Sequence, residues 1–279
     1  MQAKDLIVFG EDWGGPPSST QHLISRLADR RRVLWVNSIG LRQPRLALAD
    51  LRRAARKTRS GLQPQVAPST KAPFPILRPL TVPAPRSRAA RCLATTLLVR
   101  QVRKAARSAG LRSPIVWTSL PTAVDVLGHL DESASVYYCG DDFSALAGVD
   151  HDVVSMREAE LADRARLILT ASDRLAEKFP RYKTQVLHHG VDFDRFATPA
   201  PLATDLPADG RPIAGFYGSI SDWLDIELLE TVSIALSDWH FVFIGNVHTD
   251  ITRLQNRENI QFLGPRPHDE LARYVQHWN

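Results

Sequence analysis

Short apolar runs alternate with helix-length stretches along almost the whole chain, and that alternation breaks once and then restarts. Asp5–Phe9, Val33–Val36, Ile115–Thr118, Val136–Tyr138, Leu167–Thr170 and Gln185–Leu187 read as strands. Several are apolar at consecutive rather than alternate positions, the pattern of a parallel sheet covered by helices on both faces. Ser18 or Ser19 can cap a helix with Leu23, Ile24 and Leu27 on one face; Leu46–Lys57 and Arg88–Ala109 read as two more helices. Residues 61–85 hold seven prolines, which forbid a long helix, so they read as a connector. The break is Thr198–Pro212, which has no periodicity. Beyond it, strands at Ile213–Tyr217, Phe241–Ile244 and Ile260–Leu263 alternate with helices at Leu224–Leu236 and Asp269–His277. The expectation is two α/β domains, 1–197 and 213–279, joined by a linker at 198–212. A second sheet that ends after three strands reads as incomplete, and the chain as truncated.

Composition removes several classes. With 44% hydrophobic residues and six Trp, the chain has ample material for a core. The two cysteines, Cys92 and Cys139, make neither a disulfide scaffold nor a metal-ligand spacing, and suit a reducing cytoplasm. No apolar run approaches the roughly 18 residues of a membrane span. Met1-Gln2-Ala3-Lys4-Asp5 opens no signal-peptide pattern. The expected protein is therefore soluble and cytoplasmic. Its net charge of +5 hides an asymmetry: residues 26–112 carry a net +19 and the rest −14. So basic a block suits a phosphate-bearing partner or an anionic membrane surface; solvated helix faces are the plainer reading.

At this point the chain resembles a family. The loop Glu11-Asp12-Trp13, the run Val136-Tyr137-Tyr138-Cys139-Gly140-Asp141-Asp142-Phe143, and Leu169-Thr170-Ala171-Ser172-Asp173-Arg174-Leu175 carry the first half of the likeness. His188-His189-Gly190-Val191-Asp192, Gly215-Phe216-Tyr217-Gly218 and Phe262-Leu263-Gly264-Pro265-Arg266-Pro267 carry the second. In this order and spacing they resemble a bacterial GT-B glycosyltransferase of the group-one superfamily, of the exopolysaccharide or lipid-linked glycan type. The resemblance implies two Rossmann-like domains with parallel sheets facing a cleft. The first would hold a glycan or lipid-linked acceptor, the second a nucleotide-sugar, used as substrate with no cofactor and no metal. It also implies work in the cytoplasm, peripheral to the inner face of the membrane. Two departures stand out. Donor sites of the superfamily usually carry Arg and Lys after the first strand of the second domain, where this chain reads Gly218-Ser219-Ile220-Ser221-Asp222-Trp223. The usual acidic pair eight residues apart would lie beyond Asn279.

Candidate residues follow from the chemistry of glycosyl transfer. Asp141 and Asp142 follow a strand, so a carboxylate should reach the sheet's carboxyl edge as general base; a cap or surface turn is the alternative, and nothing separates the two residues. Trp13, Gly14 and Gly15 form the first strand–helix turn and would face the acceptor, unless Trp13 is simply packed; His189 would contact the acceptor or cap its strand. For the donor, backbone N–H groups at the Gly218-Ser219 turn could hold a diphosphate, unless this is an ordinary tight turn; the resemblance places the nucleotide near Gly245 and Gly264, with Arg266 either the cation there or a plain surface Arg. Two other classes remain. A nucleic-acid-binding protein fits the sequence pI near 9.5 but not the absence of interleaved aromatics. A non-catalytic remnant binding a partner is the other.

Overall fold

The computed structural model describes residues 4–14, 18–38, 65–67, 72–80, 87–143 and 151–279. The helix expected at Leu46–Lys57, and Gly15 of the first strand–helix turn, lie outside these residues. The chain divides into two compact units, Met1–Gly190 and Val191–Asn279.

The first unit is built on an eight-stranded sheet. In chain order its strands are β1 (Leu6–Phe9), β2 (Val33–Val36), β3 (Gln65–Ala67), β4 (Ile76–Arg78), β5 (Ile115–Thr118), β6 (Ala134–Cys139), β7 (Leu167–Thr170) and β8 (Thr184–Val186). In space they run β3-β4-β2-β1-β5-β6-β7-β8, parallel throughout except for the β3–β4 pair. The chain builds outward from β1 on one side and then returns to lay β5 on the other. The β1–β5 junction is therefore the topological switch point, where open α/β sheets bind their ligands.

Period-2 alternation sorts the central strands onto two cores. Ile7, Phe9, Leu34 and Val36 face one, with Leu98, Val102 and Leu161; Leu6, Val8, Val33 and Trp35 face the other, with Ile24. Helix α1 (Ser19–Ala28) covers the second face, α2 (Arg88–Ser108) and α3 (His151–Arg164) the first. Ser18 caps α1 by accepting from the Gln21 amide at 3.1 Å, as its sequence predicts. Helix α2 leaves the end of β4 at the sheet's carboxyl edge and returns to the amino edge, where the Arg112 amide donates to Asp5 Oδ2 at 2.9 Å. Its Leu98, Val102, Ala105 and Ala106 are buried, whereas Cys92, Leu93 and Leu97 are exposed. The Pro-rich connector proves to contain β3 and β4. Both are three-residue strands hemmed by prolines, and β3 is the antiparallel edge, where a missing N–H costs least.

The second unit holds three parallel strands, β9 (Ile213–Tyr217), β10 (His240–Ile244) and β11 (Ile260–Phe262), with the wholly buried β10 in the middle. Helix α6 (Ile226–Ala235) follows β9; before it in the chain come the short α4 (Asp173–Ala176) of the first unit and α5 (Phe193–Ala197). The helix expected over Asp269–His277 is broken into a 3₁₀ turn at His268–Glu270 and a short helix at Ala272–Val275. The boundary also falls earlier than the linker suggested. Phe196, Ala203 and Leu206 pack with Ile213, Val242 and Tyr274, and the Gln276 amide donates to the carbonyls of Phe196 and Thr198 at 2.8 Å each. Thus 191–206 is a strap fastened to the second core rather than a free linker.

Candidate functional site

At the carboxyl edge of the first sheet, the structure separates the two neighbouring aspartates. The Asp142 carboxylate accepts from Lys178 Nζ at 2.8 Å, and the same ammonium lies 3.1 Å from Glu158 Oε2. The other oxygen of Glu158 accepts from the Tyr137 hydroxyl at 2.7 Å, inside the core. A buried carboxylate needs such partners, because its desolvation is otherwise costly. Burial works against the Lys178 charge, but the hydrogen bonds to Asp142 and Glu158 outweigh it and hold its pKa above the ordinary range. Burial also raises Tyr137 far above the usual tyrosine range and pushes Cys139 up to about 11. Asp142 is thus committed to an ion pair. Asp141 is exposed, and its carboxylate makes no ion pair among the described residues. Both line a cleft of about 620 Å³ together with Gly140, Ser172, Arg174 and Lys178.

His189 stands on the neighbouring loop. Its Nδ1 is 2.7 Å from Ser19 Oγ, on the first residue of α1, and 3.2 Å from the Tyr138 hydroxyl. In the tautomer in which Nδ1 accepts from these hydroxyls, Nε2 carries the N–H and is a donor for an incoming oxygen. Burial keeps the Tyr138 phenol raised above its usual pKa and hence neutral. A Cβ on Gly140 would lie 4.0 Å from His189 Cε1, so the aspartate loop and this histidine are immediate neighbours. The hydroxyls of Ser19 and Tyr138 were not singled out from sequence.

Trp13 does not project as a free platform. Its ring packs edge-on against Trp35 and Phe74, with centroids 4.9 and 4.8 Å away, and its backbone N–H donates to Asn37 Oδ1 at 3.2 Å. It is wall material that fixes the turn, and Gly14 (φ +91°) lets the chain reverse there.

In the second unit the three glycine turns come together. The Gly218 amide donates to the Ile244 carbonyl at 2.9 Å, and the Gly245 amide to that of Gly264 at 3.0 Å. All three have positive φ (+149°, +148° and +70°), and a Cβ on Gly245 would overlap the Gly218 carbonyl oxygen. Gly218, Gly245 and Gly264 therefore end their strands as one packed row, with Ser219 beside Gly218. Two expectations for the donor fare differently. The Gly218-Ser219 turn does not run straight into a helix: α6 starts at Ile226, and its N-terminus is taken by Asp225, whose Oδ1 accepts from the Leu228 amide at 2.9 Å. A helix end already holding a carboxylate repels a diphosphate rather than attracting it. Arg266 is not free either. Its Nη2 lies 2.7 Å from Asp205 Oδ2 and its Nε 3.0 Å from the Tyr274 hydroxyl, which together raise its pKa. Neither partner was visible from sequence, since Asp205 lies 61 residues away. Among the described residues no group of three or more His, Cys, Asp or Glu could hold a metal ion. Nor is any helix among them long and apolar enough to cross a membrane.

No protein-family model matches the sequence, and among curated proteins none is significantly similar to it. Solved structures are similar in fold. HepE from Anabaena in complex with UDP and glucose shares 13% identity at a TM-score of 0.60, over 97% of this chain and 72% of that one. A trehalose-6-phosphate structure from E. coli bound with UDP-2-fluoro glucose shares 11% at 0.64, over 99% and 77%. The catalytic domain of starch synthase IV from Arabidopsis thaliana, bound to ADP and acarbose, shares 9% at 0.55, over 97% and 76%. The chain has the GT-B fold, with two Rossmann-like units.

Proposed function

We propose that this protein is a nucleotide-sugar-dependent glycosyltransferase that moves a hexosyl or related sugar onto a glycan or lipid-linked glycan, at the inner face of a membrane. The observation that carries the reading is the pair of unequal aspartates at the carboxyl edge of the first sheet. One carboxylate is locked to Lys178, and its neighbour is exposed on a cleft of about 620 Å³. In this reading Asp141 takes the proton from the acceptor hydroxyl as its oxygen forms the new bond to the anomeric carbon. The bond from that carbon to the diphosphate breaks, and the nucleoside diphosphate leaves. His189 positions the acceptor through Nε2–H. The backbone amides of Ser219 and Gly264 hold the diphosphate beside Gly218 and Gly245, whose own amides are bound within the row and whose lack of a side chain permits the close approach. The donor is a substrate, and the chemistry assigned to these residues calls on no cofactor.

The similar structures carry UDP or ADP, so UDP-glucose and ADP-glucose are the first donors to test. Expected are saturable donor binding at or below about 1 mM, the usual range for enzyme substrates, and release of nucleoside diphosphate once a polyprenyl-linked or free glycan is added. Titration calorimetry and a coupled diphosphate assay measure the two. A second reading, a non-catalytic binding protein, is favoured by the Arg266–Asp205 pair and by Asp225 at the start of α6, which both withhold positive charge from a donor. Failure of both nucleotide-sugars to bind would leave that reading standing and remove the enzyme.

A further inference from the structure

We propose that Glu158 is a positioning residue: from the core side of the turn at 140–142 it sets, through Lys178 and Cys139, where the Asp141 carboxylate stands, a role that rests on the reading of Asp141 as base. Glu158 lies on α3 and is 7% exposed. A carboxylate in such a place is costly unless it is paired and hydrogen-bonded, and an apolar side chain would pack there at less cost. Its presence points to a task that only a carboxylate performs.

That task is to face three donors at once. Oε1 accepts from the Tyr137 hydroxyl at 2.7 Å and lies 3.8 Å from Cys139 Sγ, while Oε2 lies 3.1 Å from Lys178 Nζ. An ionised carboxylate offers acceptors alone; an amide of the same shape would turn its own N–H groups toward one of the three. All three donors keep their protons. Burial raises the Tyr137 phenol far above its usual range and the Cys139 thiol to about 11. Lys178 stays charged, because its hydrogen bonds to Asp142 and Glu158 outweigh burial.

Two of these donors reach on to the aspartates. Lys178 Nζ donates to Asp142 Oδ1 at 2.8 Å, and Cys139 Sγ lies 3.4 Å from the carbonyl oxygen of Asp141. The thiol has one proton, which its contacts to Asp141 and Glu158 share. Each aspartate is thus tied through one intermediary to the same buried carboxylate. The intermediaries are themselves fixed. Cys139 is the last residue of β6 and fully buried, and Phe179, next to Lys178, packs edge-on against Tyr137 with centroids 5.8 Å apart. Beyond the turn the chain is anchored again at Phe143, 6% exposed. The Asp141 side chain makes no ion pair among the described residues, so the backbone of the turn decides its place. A general base has to stand within hydrogen-bond reach of the hydroxyl it deprotonates. Misplacement by about 1 Å can cost about 10²-fold in rate.

Kinetics of the full chain test this. Glu158→Gln should lower kcat about 10- to 100-fold, with the acceptor KM and the donor Kd within about threefold of the wild type, since Glu158 touches neither substrate. The decisive arm combines it with Asp141→Asn. Once the base is gone, Glu158→Gln should cost less than about twofold more, because the two changes act as a unit. A merely structural role would lower both backgrounds alike. If Glu158→Gln does not fold, Lys178→Met, whose side chain is 30% exposed, replaces it. Its expected loss in kcat is about tenfold, again absent in the Asp141→Asn background. Relaxation of the backbone amides gives a readout that needs no substrate. Residues 140–142 should have order parameters of about 0.85 in the wild type and below about 0.6 in either variant. Wild-type kcat in the variants, additive losses, or order parameters that do not change would overturn the proposal. A wild-type chain that transfers no sugar would refute the enzyme, and the order parameters would still decide whether Glu158 holds the turn.

Discussion

Replacing Asp141 by Asn is expected to lower sugar transfer by about 10²- to 10⁴-fold, the usual range for losing a general base. The carboxylate is isosteric with the amide, so the cleft keeps its shape and only the proton acceptor disappears. Donor binding should hardly change, because the donor is assigned to the second unit. Asp142→Asn makes the informative contrast. Its carboxylate is already paired with Lys178, which keeps Glu158 as a partner at 3.1 Å when Asp142 is neutralised. That variant should retain transfer to within about tenfold, and the double variant should be little worse than Asp141→Asn alone. Initial rates of the three, with donor titrations alongside, decide the matter. Equal losses from the two single changes would show that the ion pair does not divide the roles, and a fully active Asp141→Asn would remove the base.

Gly245→Ala is expected to destabilise the second unit by roughly 2–6 kcal/mol and to abolish donor binding. Two costs add. A φ of +148° is one that side chains rarely adopt, worth roughly 1–3 kcal/mol. The new methyl would also overlap the Gly218 carbonyl oxygen, which is backbone and so has no rotamer to turn aside. Its strand cannot yield cheaply, since the Gly218 amide is bound to Ile244 next to the glycine being changed. Overpacking of this kind costs about 1–3 kcal/mol more. Gly210 supplies the control: its φ is +87°, but a Cβ there meets nothing within 4 Å. Gly210→Ala should therefore show the conformational cost alone, about 1 kcal/mol, with donor binding kept. Thermal melts and donor titrations of the pair separate the two costs. Identical melts would mean that the packed row of glycine turns is looser than its geometry indicates.

Much of this fold could be read from the chain because parallel strands buried on both faces leave a compact signature. Leu-Ile-Val-Phe and Val-Leu-Trp-Val are four-residue runs with every side chain buried, too short for a helix and bounded by turn residues. β3 and β4 left no such trace, since three residues between prolines carry neither period nor length. The linker expected at 198–212 hides its role for a related reason. Its anchoring residues, Ala203 and Leu206, are isolated among Pro, Thr and Asp, and only the fold shows that both are buried. At the site the strand ends were legible and the electrostatics were not. What distinguishes Asp142 from Asp141 is an ammonium 36 residues further along. Arg266 looked like a free cation because its partner sits in that strap. Residue type and strand position can nominate a group, but long-range pairing decides whether it is available.

The two cysteines differ in a way that has a practical consequence. Cys139 is fully buried, and its thiol, pushed up to about 11, stays protonated near neutrality. Cys92 is exposed on α2, next to Leu93. Because the thiolate is the reacting species and needs solvent access, a maleimide should reach one position and spare the other without any cysteine being removed. A polarity-sensitive dye attached there would report, in the otherwise native sequence, whether that part of the helix is in water or covered.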